Sequence, residues 1–284
     1  MHVVTQRLDP IVTDTLEVHR VPAATDNLVW VVVDRATGDA AIVDGPSAAE
    51  VLPYVEARGI RVVAVWNTHT HGDHVGLNRD LAKRGLLPAR VVGPAGAAAD
   101  VPGLTDPVDQ GDRVTLGQTV ATVWRTDGHL KGHVSFVVDG FVFCGDTLFA
   151  GGCGRVLGGT HAELFDSLLR LAELPGDTRV CCAHEYTQDN LRFAWSVEPG
   201  NAALRDRIRQ VWAIRSAGGC AVPSTIEVER ATNPFLRPGA PEIRAVVGDG
   251  SALAAFTALR DRKDQGAYKA LGDGPLAGLL QGEP

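Results

Sequence analysis

The chain has 284 residues, 45% of them hydrophobic, and a net charge of −7. That length suits one large α/β domain, or a core domain with a smaller companion. The acidic balance argues against nucleic acid as a partner, and no stretch reaches the roughly 18 apolar residues that span a bilayer.

Short apolar strands recur through the first two-thirds. Leu28 to Val33 and Ala40 to Val43 read as paired strands joined by a turn over Ala36 to Asp39. Val51 to Arg58 reads as a helix, Val62 to Trp66 as a buried strand, and Gly76 to Arg84 as a helix closed by Gly85. Further strands follow at 90–92, 113–116, 119–124, 134–138 and 141–144. Asp139-Gly140 makes a two-residue hairpin link between the last two. A helix over Ala162 to Leu174 leads to the strand Arg179 to Ala183. Beyond it the texture turns helical, at Asp189 to Val197, Ala202 to Ser216 and Ala252 to Arg262. This predicts a mixed α/β part over 1–185 and a smaller, mostly helical part over 186–284. Gly272 to Pro284, rich in glycine and proline, is expected to be a loosely held tail.

The first residues, Met1 to Asp14, lack the apolar run of a secretory leader. The five cysteines are odd in number and include adjacent Cys181 and Cys182, with no C-x-x-C. They read as reduced thiols packing as small hydrophobes, so a cytoplasmic protein is expected.

Four possible metal ligands crowd the end of the strand over 62–66: His69, His71, Asp73 and His74. On a continuing strand His69 and His71 would share a face, with Asp73 and His74 in the loop before the next helix. A solvated polar loop is the plainer alternative, but so dense a cluster is hard to explain as packing. His129 follows the strand over 119–124, Asp146 the strand over 141–144, and His184 the strand over 179–183. Strand ends are where an α/β sheet gathers its ligands. Seven side chains are too many for one catalytic zinc, which takes three protein ligands and a water. They suit two ions about 3.5–4 Å apart sharing one carboxylate. Nitrogen and oxygen donors without thiolate fit Zn, Fe or Mn. No G-x-S-x-G elbow, C-x-x-C or H-E-x-x-H offers another route, so a water activated by metal is the expected nucleophile. Asp44 could support the metals or simply make a turn. His133 reads as supporting, His161 as a cap or surface residue, and Cys144 as packing.

The pattern His69-x-His71-x-Asp73-His74, Gly128-His129, Gly145-Asp146-Thr147 and His184 resembles the metallo-β-lactamase superfamily. Gly152-Cys-Gly-Arg155, His184-Glu-Tyr-Thr187, Val197-Glu-Pro-Gly-Asn201 and Asn233-Pro-Phe-Leu-Arg237 are similar to the glyoxalase II branch, the hydroxyacylglutathione hydrolases. The resemblance implies an αββα sandwich with a helical C-terminal domain. It implies one metal on His69, His71 and His129, another on Asp73, His74 and His184, and Asp146 as bridge. Asp73 and Asp146 would be the catalytic carboxylates, and zinc the expected metal. Arg155, Tyr186, Arg260 and Lys263 would bind the glutathione part of a thioester. From spacing alone, Arg260 and Lys263 fit a solvated helix face. The implied reaction is hydrolysis of S-D-lactoylglutathione to D-lactate and glutathione, by a monomer or weak homodimer with a small-molecule partner. The competing expectations are a mononuclear-iron persulfide dioxygenase on His69, His129 and Asp146, and another hydrolase of the superfamily such as a lactonase. Asp127, Leu157 and Gly266 depart from the usual pattern; the last two stand where aromatics are common.

Overall fold

The computed structural model describes residues 2–280. A first sheet keeps the order of the chain: β1 (Ile11–Val12), β2 (Leu16–Ala23), β3 (Asn27–Asp34), β4 (Asp39–Val43), β5 (Arg61–Trp66), β6 (Arg90–Pro94) and β7 (Asp106–Val108). β1 to β4 pair antiparallel and β4 to β7 parallel. The parallel pairs need crossovers, and α1 (Val51–Glu56) and α2 (Gly72–Lys83) supply two of them. Strand alternation splits the buried residues between two faces. Val29, Val31, Ile42 and Val65 pack outward against Val51, Val55, Leu77 and Leu81 of the two helices. Trp30, Val32 and Trp66 face inward.

The second sheet draws on β8 (Arg113–Leu116), β9 (Thr119–Arg125), β10 (Val134–Val138) and β11 (Phe141–Gly145). Asp139 and Gly140 link β10 to β11 at φ 43° and 77°, the positive values a type I′ turn demands. A two-stranded hairpin follows, β12 (Leu148–Phe149) and β13 (Gly152–Cys153). Next comes α3 (His161–Leu171), started by a Thr160–Glu163 capping box. β14 (Arg179–Cys182) lies parallel to β11 and completes the inner core. Trp66 stacks on Phe136 at 5.1 Å, and Trp30 meets Phe143 edge-on at 5.9 Å. Each such fully buried side chain contributes about 1.5–3 kcal/mol.

The remaining elements are α4 (Thr187–Val197), α5 (Ala202–Ser216), β15 (Ser224–Thr225), α6 (Ile226–Thr232), α7 (Pro241–Val247), α8 (Ala252–Gln265) and α9 (Ala277–Leu280). β15 adds an edge to the second sheet, and Phe193, Phe235 and Phe256 join the main core.

Several expectations are corrected. β2 was not foreseen because Glu17, His19, Arg20 and Pro22 break its apolar run; tertiary pairing with β3 overrides that. α2 begins at Gly72, not Gly76, so Asp73 and His74 occupy its first turn. β5 stops at Trp66, so His69 and His71 lie on a loop and share no strand face. α6 and α7 are additional short helices. The expected tail is docked instead. Leu276 is buried among Leu191, Leu204 and Ile208, and Asp273 accepts hydrogen bonds from Arg192 Nε (2.6 Å) and Trp212 Nε1 (3.2 Å). Residues 281–284 lie outside the described residues.

Candidate functional site

The N-terminus of α2 is fastened to two strand ends. Asn67 Nδ2 donates to the His74 carbonyl at 3.1 Å, and Asn67 and Asn78 exchange amide bonds. Asp44, held at φ 56° after β4, accepts from Thr68 N (2.8 Å), Thr68 Oγ1 (2.6 Å) and His74 Nδ1 (2.9 Å). Gly76 passes so close to the loop after β4 that a Cβ there would lie 2.0 Å from Pro46 O. These ties explain why the helix starts four residues early, through a glycine that disfavours helix.

The other contributors leave strand ends nearby. Gly145 turns at φ 46° to present Asp146 after β11, and a Cβ on it would strike Thr68 Oγ1 at 2.3 Å. The loop after β9 carries His129, and the end of β14 carries His184.

All seven sequence-predicted ligand residues converge. His71 Nδ1 lies 3.0 Å from both His69 Nε2 and His129 Nε2. Asp146 Oδ2 is 3.4 Å from His129 Nε2, while its Oδ1 is 3.4 Å from His184 Nε2 and 3.5 Å from His74 Nε2. Asp73 Oδ2 closes the second set, 3.3 Å from His184 Nε2 and 3.5 Å from His74 Nε2. One carboxylate thus turns an oxygen to each of two groups.

Proton placement follows from the partners. The Arg155 carbonyl can only accept, so His129 Nδ1 donates to it at 2.7 Å. Asp44 fixes His74 the same way, and Asp26 fixes His184 at 2.8 Å. Thr68 Oγ1 gives its proton to Asp44 and so accepts from His69 Nδ1 at 3.1 Å. In their neutral form all four therefore turn an Nε2 lone pair inward, as metal-binding imidazoles with a fixed partner do.

The electrostatics ask for a cation. Burial pushes His69 and His129 below the usual imidazole value. Burial also opposes charge on His184, but Asp146, Asp26 and Asp73 outweigh it and raise the group to about 10. His74 is raised likewise against its burial by Asp146, Asp44 and Asp73. Asp73 sits well below the usual carboxylate range, its desolvation overcome by His184, His74 and Asn27. His74 Nε2 and Asp146 Oδ1 are buried with no hydrogen-bond partner. Unpaired buried polar atoms cost about 1–3 kcal/mol each, so two at one point need a ligand. Imidazole and carboxylate donors fit a divalent metal.

His133 stands outside the convergent set. It stacks on His69 at 4.7 Å and accepts from Asp146 N at 3.3 Å. Asp44 both makes the turn and supports the site. His161 is the first residue of α3, with Asp261 at 3.6 Å. Asp26 and Asn27 were not foreseen, because they sit in the turn and at the first position of β3, where β2 pairs, and β2 itself was not expected.

A cleft of about 650 Å³ adjoins this centre and takes in Arg155, Tyr186, Arg260 and Lys263 together. The Tyr186 ring stacks on His184 at 4.7 Å and forms the join. Arg260 is only 2% exposed, which overturns the solvated helix face. It donates to the Cys153 carbonyl (3.0 Å) and to Asp264 (2.9 Å), and Arg155 pairs with the same Asp264 at 3.2 Å. Lys263 is buried and donates to Asn190 Oδ1; burial and nearby Arg260 push its pKa down to about 7. Phe149, Asp189, Tyr268 and Lys269 also line the cleft and were not foreseen.

The fold and this convergence of imidazoles and carboxylates define a protein of the metallo-β-lactamase superfamily, and residues 24–184 match the model of that superfamily. Residues 185–266 match the hydroxyacylglutathione hydrolase C-terminus. The chain is 46% identical over 253 residues to the hydroxyacylglutathione hydrolase of Methylococcus capsulatus, covering 88% of this chain and 98% of that one. It is 45% identical over 256 residues to that of Rhodobacter capsulatus, covering 88% and 99%. The chain belongs to the hydroxyacylglutathione hydrolase family. Among solved structures, ETHE1 from Myxococcus xanthus shares the fold (TM-score 0.61, 24% identity, 90% of this chain and 95% of that one). So does a metallo-β-lactamase from Staphylococcus aureus (TM-score 0.60, 17% identity, 88% and 72%).

Proposed function

We propose that this protein hydrolyses 2-hydroxyacyl-glutathione thioesters, S-D-lactoylglutathione above all, with two divalent metal ions, zinc by preference. The observation that carries the reading is Asp146, whose two oxygens face two separate imidazole groups while one of them, and His74 Nε2, lack any partner. His69, His71 and His129 would hold one ion, Asp73, His74 and His184 the other, and Asp146 would span them. Ions held there supply hydroxide at neutral pH and polarise a carbonyl. Asp44, Asp26, Thr68 and the Arg155 carbonyl keep the imidazoles in the required tautomer. Tyr186, against His184, helps exclude water. The cleft beyond it would orient the thiol carrier, with Arg155 and Arg260 as its cationic wall and Lys263 as a buried amine beside them.

No side chain needs to act as nucleophile. Burial raises the pKa values of Cys144, Cys153, Cys181 and Cys182 and keeps them as thiols. A leaving thiol has a pKa near 8.5, so it departs without a strong acid. We assign residues up to 185 to the metal chemistry and those from 186 onward mainly to carrier recognition. All five cysteines are free, which suits a cytoplasmic enzyme acting on a reduced thiol. No described helix is long and apolar enough to cross a membrane.

Metal analysis with an S-D-lactoylglutathione assay tests the reading. Two ions per chain and steady turnover are expected. Asp146→Asn should lower kcat by at least about 100-fold. A single iron, with oxygen uptake on glutathione persulfide and no thioester turnover, would overturn it.

A further inference from the structure

The match to the family's C-terminal model stops at residue 266, yet the cleft does not. Two of its lining residues, Tyr268 and Lys269, come from the segment beyond. α8 ends at Gln265 and is capped by Gly266, whose φ of 72° turns the chain back into a 3-10 turn over Ala267–Leu271. The turn is closed by Gly266 N to Lys263 O at 3.1 Å and Lys269 N to Gly266 O at 3.0 Å.

This return is latched at two places. Tyr268 Oη donates to Asp189 Oδ2 at 2.7 Å, and its ring meets Phe193 edge-on at 5.4 Å. Downstream, Asp273 takes Arg192 and Trp212, and Leu276 is buried against α4 and α5. The segment is thus fixed before any ligand arrives, which lowers the ordering cost of binding. It also puts an aromatic ring, Tyr268, into a cleft where Gly266 offers no side chain.

The charges in the cleft differ in how far they are neutralised. Arg155 and Arg260 share Asp264 at 3.2 and 2.9 Å. Lys263 is buried on Asn190. Lys269 lies 3.9 Å from Asp189, a carboxylate already engaged by Tyr268, and its side chain is 62% exposed. Among the described cleft residues it is the least tightly paired cation.

Resting on the thioester reading, we propose that the segment after 266 is a specificity element for the thiol carrier. Lys269 pairs with a carboxylate on the part of the carrier remote from the thioester, and Tyr268 walls the carrier in.

The experiment compares two lactoyl thioesters, one on glutathione and one on N-acetylcysteamine, which carries no carboxylate. Lys269 is exposed, so Lys269→Ala should fold as the parent does. It should raise KM for the glutathione thioester about five-fold, the yield of one exposed ion pair, and leave kcat and the KM of the other thioester within about two-fold. Tyr268→Phe keeps the ring and frees Asp189 to pair with Lys269, so it should shift the KM ratio the same way, by less. An unchanged ratio in both variants overturns the proposal. Calorimetric binding of free glutathione gives a readout independent of turnover. A Kd raised about five-fold in Lys269→Ala supports the contact, and an equal Kd refutes it, whatever the hydrolysis assay says of the reaction itself.

Discussion

Asp44 shows how much one residue can carry. Its left-handed backbone ends β4, and its carboxylate at once sets the tautomer of His74 and ties Thr68. Asp44→Asn keeps the shape but replaces an acceptor oxygen with an amide donor. Metal affinity should fall about 10–100-fold, read by chelator competition; an unchanged affinity would reject the role. Lys263 carries a different cost. Its pKa is about 7 in the fold against an ordinary 10.5, so the fold disfavours the charged form. The unfolded chain binds the extra proton between those values, so the penalty is full below pH 7 and fades as pH rises toward 10.5. Lys263→Met should therefore stabilise the protein by about 2–4 kcal/mol at pH 6 and by clearly less at pH 10, measured by urea unfolding. Equal effects at both pH values would refute the assignment. The cluster from His69 to His74 was legible in the sequence, because few roles other than the proposed one pack three imidazoles and a carboxylate into six positions. Asp26 was not, since a lone aspartate in a turn looks the same whether or not a histidine rests on it.

The hairpin β12–β13 makes the case at the scale of the element. It is buried, so its backbone needs partners, and side chains from the helical part provide them. Asn190 donates to Ala150 O, Asn233 to Gly152 O at 2.9 Å, and Arg260 to Cys153 O; Glu229 accepts from Gly151 N. The hairpin follows Asp146 and ends just before Arg155, whose carbonyl holds His129. Asn233→Ala should cost about 2–3 kcal/mol by leaving Gly152 O unpaired, and should also lower kcat. A drop in melting temperature with kcat intact would confine Asn233 to stability. Apolar runs and the Asp139-Gly140 turn announced most strands. β2, the start of α2 and the docked tail escaped, because long-range contacts at Asn67, Asp44 and Asp273 decide them and local propensity does not.

For the whole molecule, the helical part does more than cover an end. It lends β15 to the second sheet, shares the main core through Phe193, Phe235 and Phe256, and builds most of the cleft. One asymmetry in the centre reaches further. His74, His184 and Asp73 are each braced from behind, by Asp44, Asp26 and Asn27. His71 alone among the imidazoles offers Nδ1, it is only partly buried, and among the described residues nothing bonds its Nε2. The two proposed metal positions should then differ in lability. A chelator should strip the ion of His69, His71 and His129 first, and the ion of His74 and His184 in a slower second phase. Stopped-flow release with a metal indicator should resolve the two phases, and a single phase would contradict it. In a metal-poor cell such a centre would persist half-filled, and supply would act on activity through one position rather than two.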